Sequence, residues 1–436
     1  MKINIPESEM KRIVIIGGGF AGITLALKLA KSNYQVVLID KNNYHQFQPL
    51  FYQVAMAGLE PSSIVFPLRK LFHSYKNIYI RVTEVIDVEA DKKRLQTPLG
   101  IVNYDYLVIA TGVDTNFYGN EKLSQLAIPM KSVSEALYLR NKILSDLEKA
   151  LVTTDFEDRQ GYIDIVVVGG GPTGVEVSGA LAEMKKYILP KDYPELNTEE
   201  IDIYLIQSAA QLLKGMSEEA SNKSLEFLTQ LGVKVKLNTR VTDYDGEVVT
   251  MNDGTCIRSR KVIWAAGITG QVFPGLPESC NTYGNRLRVD RQCRVEGVDD
   301  IFALGDIAYM EEEAYPQGHP QVAQVAMQQA KFLARTFKTN NWEKSFTYKD
   351  LGSMATVGRN KAVVDLPRWK FQGAFAWLVW LFVHLFQLVG VKNRIFVFLN
   401  WVWNYITYDQ SLRLIIRPHI PKISPKEKTV SSDKPN

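Results

Sequence analysis

The 436-residue sequence is poor in cysteine, holding only Cys256, Cys280 and Cys293. None of them belongs to a C-x-x-C pair, so neither a metal site nor a dithiol redox pair is written into the chain. An odd, sparse count also excludes a disulfide-stapled secreted scaffold. Met1 to Arg12 lack the apolar segment of a signal peptide and the Arg-rich length of an organelle presequence. The simplest expectation is a bacterial protein in the cytoplasm or on the cytoplasmic face of the inner membrane. Long uncharged runs are scarce as well, and the one that stands out is residues 373–391.

A hydrophobic content of 46% with 22% charged residues excludes a disordered chain. The length suits two or three domains. The net charge of +4 is unevenly spread. Residues 368–436 carry ten Lys or Arg against three Asp or Glu, which leaves the rest of the chain at −3. Five of the seven tryptophans lie in that same segment.

The first 40 residues read as strand (12–16), glycine turn (17–22), helix (23–31) and buried strand (35–39). The order recurs as strand (163–168), turn (169–174), helix (175–187) and strand (201–206), with 189–200 as an inserted loop. One βαβ unit is therefore duplicated. Further strands are expected at 104–111, ending in Ala-Thr-Gly, at 261–267, ending in Ala-Ala-Gly, and at 300–306, ending in Gly-Asp. A helix follows Pro320 to about Phe337, then a polar stretch (338–345) and a β-like segment (351–366).

The first turn, Gly17-Gly18-Gly19-Phe20-Ala21-Gly22, is G-x-G-x-x-G after a strand and at the start of a helix. Gly17 allows the tight turn, Gly19 lets backbone approach a pyrophosphate, and Gly22 lets the helix pack on the strand. Asp40 ends the next strand, where a carboxylate accepts from ribose hydroxyls. Gly169, Gly171 and Gly174 repeat the pattern, but the following strand ends in Gln207. An amide there removes the charge that would repel a 2′-phosphate. Ser208, Ala209 and Ala210 follow, so no Arg clamp is adjacent. NADH, with tolerance of NADPH, is expected at the second unit. Asp306 is placed to bond a flavin ribitol hydroxyl, alongside Ala110, Thr111 and Gly112. Gly267 is the counterpart position in the second unit.

The order fingerprint, ATG, fingerprint, AAG, GD resembles the flavin reductases that carry two dinucleotide-binding domains. Within that group the chain resembles the type II NADH dehydrogenases, single-subunit NADH:quinone oxidoreductases that do not pump protons. Residues 43–55, including Gln48, are similar to that family's flavin-side segment, and 323–329 match its A-Q-x-A-x-Q-Q quinone motif. Similarity runs from about residue 11 to 415. The resemblance implies non-covalent FAD, NADH as substrate, a quinone (ubiquinone or menaquinone) as acceptor, and catalytic roles for Glu176, Gln324 and Gln328. It also allows a homodimer. Gln324 and Gln328 share a helix face, where two amides can hold a quinone carbonyl; a solvent-facing polar stripe is the plainer alternative. Glu176 matches a family Glu near the nicotinamide and flavin rings, or is a first-turn acid complementing the helix dipole.

The expected fold class is α/β: two Rossmann-like dinucleotide-binding domains plus a C-terminal helical membrane-anchoring region. Residues 1–125 and 285–345 form a discontinuous FAD domain and 126–284 the NAD(P)H domain. Residues 346–415 carry a β segment and amphipathic anchor helices, and 416–436 a disordered tail. The 19-residue run 373–391 is long enough to span a bilayer, but His384 and Gln387 weaken that reading; with a second apolar stretch at 395–408 beyond the charged turn 392–394, two short helices lying in the interface fit better. A dimer interface or buried helix pair is the other option. The basic, Trp-rich end thus points to a lipid surface as partner, and nucleic acid is not expected. A disulfide reductase needs cysteines beside the flavin, and none precedes residue 150. A sulfide:quinone reductase and a non-catalytic NADH-binding flavoprotein sensor remain as alternatives.

Overall fold

The computed structural model describes residues 3–410 and 412–416. Two five-stranded parallel sheets organise it. In the first, Lys11–Ile16 lies between Tyr34–Asp40 and Tyr106–Ile109, and Ile78–Val82 and Ile301–Ala303 form the edges. In the second, Ile165–Val168 lies between Ile203–Ile206 and Val262–Trp264, with Ile128–Pro129 and Lys234–Lys236 outside. The central strands are unbroken β-branched and aliphatic runs, buried throughout from Ile13 to Ile16, Val36 to Ile39 and Ile165 to Val168. Strands covered on both faces read this way, whereas half-exposed strands alternate. Ile301–Ala303 rejoins the first sheet after the whole second sheet has been laid down, so the first unit is discontinuous in sequence.

Helix starts differ from expectation in a way that matters for the site. The first helix is Phe20–Leu29 and its counterpart Pro172–Tyr187, so both begin inside the glycine turns. Gly19 and Gly171 are extended N-cap residues, which puts each helix's free N–H groups at the turn itself. The strand expected from 163 begins at Ile165, because Ile163 closes the helix Phe156–Ile163. The inserted loop at 189–200 contains two short helical turns, Leu189–Asp192 and Thr198–Glu200.

The β-like segment is the antiparallel sheet Ser353–Gly358, Lys361–Asp365 and Lys370–Gln372. It packs on Pro172–Tyr187 at Gly179, where a Cβ would stand 1.8 Å from the Val357 carbonyl oxygen. Only glycine permits that approach. The Ser217 hydroxyl donates to Asp365 at 2.9 Å and ties the same sheet to the second unit.

Two helices end the described chain, Ala374–Gln387 and Val391–Thr407. No helix among the described residues is long and apolar enough to cross a membrane. Trp380 and Val397 are buried against the body, and polar groups fasten the second helix to it. The Trp401 indole donates to Gln53 at 2.7 Å, Asn404 to the Gly58 carbonyl at 3.0 Å and Asn393 to the Val65 carbonyl at 2.8 Å. Phe375, Leu378, Phe382 and Phe386 face outward on the first helix, joined by Ile395, Phe398, Val402 and Ile406 on the second. Ile416, where the tail was expected to begin, exchanges two hydrogen bonds with Asn141. Residues 417–436 lie outside the described residues.

Candidate cofactor and active site

The first glycine turn is shaped by contacts that a side chain would prevent. Gly17 has φ of +106°, and a Cβ there would meet the Ala110 carbonyl oxygen at 2.3 Å. A Cβ on Gly22 would lie 1.8 Å from the Gly17 carbonyl oxygen. Gly19 faces open space, and no side chain caps the helix that starts beside it. Uncapped N–H groups and a helix dipole aimed at an open cradle suit a pyrophosphate. Asp40 accepts from the Gly18 and Asn42 backbone N–H groups, both at 2.6 Å. Burial raises its carboxyl above the usual range against those two bonds.

Three other segments complete the pocket. The Thr111 hydroxyl is buried without a partner among the described residues, the state expected of a group that awaits a ligand. Asp306 is half-buried, with its carboxyl raised by desolvation and held down in part by Lys131 and Arg286. Its loop is fixed by Gln329, whose side-chain oxygen accepts from the Gly305 N–H at 2.7 Å, and by Arg286, which donates to the Asp306 carbonyl at 3.0 Å. Sequence reasoning named Gln324 and Gln328 and passed over Gln329. The signal was its place on the buried, Ala-bearing side of the helix Ala323–Thr339. An open cradle, an orphan hydroxyl and two half-buried carboxyls fit the pyrophosphate, ribose and ribitol of FAD.

The second turn repeats this geometry. Gly169 has φ of +110° and a Cβ there would meet the Ala265 carbonyl oxygen at 2.5 Å; on Gly174 it would meet the Gly169 carbonyl oxygen at 1.8 Å. Gly171 faces open space. Gln207 accepts from the Gly170 N–H at 3.0 Å, the bond that Asp40 makes in the first unit.

A cleft of about 980 Å³ lies between the two cradles. Gln48 and Thr115 line it from the first unit; Pro172, Glu176, Ala265 and Gly267 line it from the second. A second cavity, of about 910 Å³, runs from Glu176 and Tyr52 to Trp377, Leu381 and Tyr405 of the terminal helices. Glu176 and Tyr52 therefore stand on the wall shared by both cavities. Burial pushes the Glu176 carboxyl up to about 8, outweighing the Thr356 backbone N–H that favours its charge. Burial also raises the Tyr52 hydroxyl well above its ordinary value, with Glu176 adding to the shift.

Two cleft residues escaped sequence reasoning. Lys131 is a largely buried cation whose ammonium has no hydrogen-bond partner among the described residues; burial lowers its pKa against Asp306 and Asp114. His384, read in the sequence as a blemish on an apolar run, turns inward. Its ring stacks on Trp380 at 4.0 Å and lines the cleft, and burial lowers its pKa to about 4. The i,i+4 spacing from Trp380 carried that information.

Gln324 and Gln328 do share one helix face, and both grip the segment 349–352. Gln324 donates to the Gly352 carbonyl at 3.0 Å and accepts from the Leu351 N–H at 3.0 Å. Gln328 donates to the Lys349 carbonyl at 2.8 Å and accepts from the Lys349 N–H at 3.1 Å.

A flavin and a nicotinamide dinucleotide each need a pyrophosphate cradle, and hydride transfer needs their rings in one cleft. This fold and site define a two-dinucleotide flavin oxidoreductase. Residues 11–330 match the family model described as pyridine nucleotide-disulphide oxidoreductase, and 351–407 match the NDH2 C-terminal domain. A type II NADH:quinone oxidoreductase of Mycobacterium tuberculosis is 34% identical over 91% of this chain and 88% of its own length. An internal alternative NAD(P)H-ubiquinone oxidoreductase of Arabidopsis thaliana is 28% identical over 92% of this chain and 85% of its own. The solved NDH2 of Plasmodium falciparum with NADH shares the fold, with a TM-score of 0.85 at 22% identity over 94% of this chain and all of that one. A sulfide:quinone oxidoreductase of Aquifex aeolicus follows at 0.69 and 20% identity, over 91% and 95%. The chain belongs to the type II NADH:quinone oxidoreductase family.

Proposed function

We propose that this chain oxidises NADH and reduces a membrane quinone, ubiquinone or menaquinone, at the cytoplasmic face of a bacterial inner membrane. The observation that carries the reading is the shared wall. Two cradles face one cleft, and behind the wall of Glu176 and Tyr52 a second cavity reaches the terminal apolar helices. FAD, held by these cradle residues, would supply the two-electron chemistry between NADH and the quinone.

The chain's own residues position and protonate. Gly17, Gly19 and Gly22 take the flavin pyrophosphate, Asp40 a ribose and Asp306 the ribitol, with Gln48 and Ala110 to Gly112 around them. Gly169, Gly171, Gly174, Gln207 and Gly267 do the corresponding work for the nicotinamide dinucleotide. A quinone that gains two electrons must gain two protons. With its carboxyl pushed up to about 8, Glu176 holds a proton at neutral pH on the wall between the cavities. Gln324 and Gln328 fix residues 349–352, which lead into the strand whose Met354 and Thr356 line the two cavities. Each amide also keeps one N–H without a partner among the described residues, available to a quinone carbonyl.

The domain division follows the sheets: 1–125 with 285–345 for FAD, 126–284 for NAD(P)H and 346–415 for the membrane-facing part. The outward Phe, Leu and Ile side chains of the terminal helices lie in the lipid interface. None of the three cysteines lines either cavity, so the sulfide-oxidising alternative lacks its thiols at the cleft. Steady-state oxidation of NADH with a soluble quinone analogue tests the proposal. Sustained turnover is expected. Flavin that NADH reduces but quinone does not reoxidise would mark a sensor, and reduction by sulfide but not NADH would mark the other chemistry.

A further inference from the structure

Among the described residues that line the cleft between the two cradles, one carries a charge at neutral pH. The cleft's acid, Glu176, keeps its proton there, and its imidazole, His384, is held neutral by burial. Lys131 is the remaining ionisable side chain that bears charge, and it is positive. The fold delivers it to that wall. Ile128–Pro129 runs parallel to Val262–Trp264, with Pro129 opposite Trp264. Lys131 therefore leaves the carboxyl end of the sheet on the edge that also carries Ala265 and Gly267, where parallel sheets hold their ligands. Its backbone is fixed. The Glu135 carboxylate accepts from the Lys131 N–H at 2.6 Å and the Ser132 N–H at 2.9 Å, and the Ser132 hydroxyl accepts from the Glu135 N–H at 3.2 Å, which caps the helix Val133–Val152. Gln46 of the first unit accepts from the Val133 N–H at 3.2 Å and ties this corner to the flavin side.

The ammonium has no hydrogen bond or ion pair among the described residues, although the side chain is withdrawn in part from water. A cation in that state is costly unless a charge or ligand nearby offsets it. Asp306 is the acid that acts on it most strongly, ahead of Asp114 and Glu135, and Lys131 in turn leads Arg286 in acting on Asp306. Asp306 belongs to the flavin cradle, so the ammonium lies toward the flavin side of the cleft. A counter-ion serving Asp306 alone would pair with it directly, and no such pair forms among the described residues.

Hydride transfer breaks a C–H bond of the nicotinamide and forms an N–H bond on the flavin, and both electrons travel with the hydrogen. The nicotinamide ring becomes positive and the flavin ring negative. A cation held on the flavin side favours that redistribution, and in a cleft of low dielectric constant it acts more strongly than in water. We propose that the Lys131 ammonium stabilises the negative charge of the reduced flavin, so that this residue sets the cofactor's reduction potential. The inference rests on the proposed transfer from NADH to FAD in this cleft.

Equilibration of the FAD-loaded full chain with redox dyes reads the flavin potential without turnover and without NADH. At alkaline pH, where the reduced ring is anionic, Lys131→Met should lower the equilibrium constant for two-electron reduction about tenfold, roughly 30 mV to the negative side. Lys131→Arg should stay near the parent. The pH at which the potential changes slope marks the proton on the reduced ring, and it should rise by about one unit in Lys131→Met. Lys131→Gln provides the same measurement with a polar side chain if the methionine variant retains flavin poorly. An unchanged potential and slope break in the neutral variants would overturn the inference, as would an equal shift in Lys131→Arg. Loss of flavin from all three variants would overturn it too, because the residue would then hold the cofactor and not tune it. Failure of NADH to reduce the parent's flavin is a separate result, which removes the proposed function while the dye titration still reports the potential.

Discussion

Glu176 takes its place from the helix start and its chemistry from burial. Its carboxyl, at about 8, is protonated at neutral pH and ionises as pH rises past that value. If it feeds the proton to the quinone, kcat with a quinone acceptor should fall above about pH 8. Glu176→Gln should lower kcat and flatten that limb, in a pH profile measured over the range around 8. A folded-state pKa raised from 4.5 to about 8 also means that the native state holds a proton the unfolded chain releases across that window. Its contribution to stability is therefore complete below the lower value and lost as pH climbs to the upper one. Melting temperatures of the parent should decline more steeply over that interval than those of Glu176→Gln. The glycine cradles were legible in the sequence because their steric demand is local: Gly17, Gly22, Gly169 and Gly174 each need room against backbone only a few residues or one strand away. Lys131 was not, since it acquires its role from a segment far off in sequence; for Gln329 and His384 helix spacing marks the face they occupy but not what they meet there.

Among the elements, the terminal helices show how much a pattern conveys and where it stops. The run 373–391 was long enough for a span, but its helix ends at Gln387 after 14 residues, and a second helix of 17 residues starts at Val391. Trp380, His384 and Val397 face the protein, while Phe375, Leu378, Phe382 and Phe386 form an outward stripe at helical spacing. What Trp401, Asn404 and His384 meet depends on Gln53, Gly58 and Phe47, which no periodicity reveals. Burial of one such Phe in the interface contributes about 1.5–3 kcal/mol. The double substitution Phe382→Glu and Phe398→Glu should therefore weaken binding to anionic vesicles more than about tenfold in a flotation assay. NADH-driven reduction of the flavin in solution should persist. Unchanged flotation would mean that this face does not meet lipid. The sheet 353–372 was foreseen only as β-like, because its docking depends on Gly179, an unremarkable glycine within a helix until Val357 is seen against it.

Across the whole molecule, the duplicated βαβ unit sets two cradles about one cleft, and the third segment forms a second cavity that shares a wall with that cleft and reaches the apolar helices. The duplication and its order were readable from spacing alone. The shared wall of Glu176 and Tyr52 was not, because it joins three segments that meet only in the folded chain. The account's central claim is that electrons enter from NADH and leave to a quinone in two separable steps. Double-mixing stopped flow on the FAD-loaded protein addresses both. NADH should bleach the flavin absorbance, and a quinone analogue added in the second mix should restore it at a rate that accounts for steady-state turnover. Flavin that NADH leaves oxidised, or that stays reduced when the quinone is added, would contradict the account.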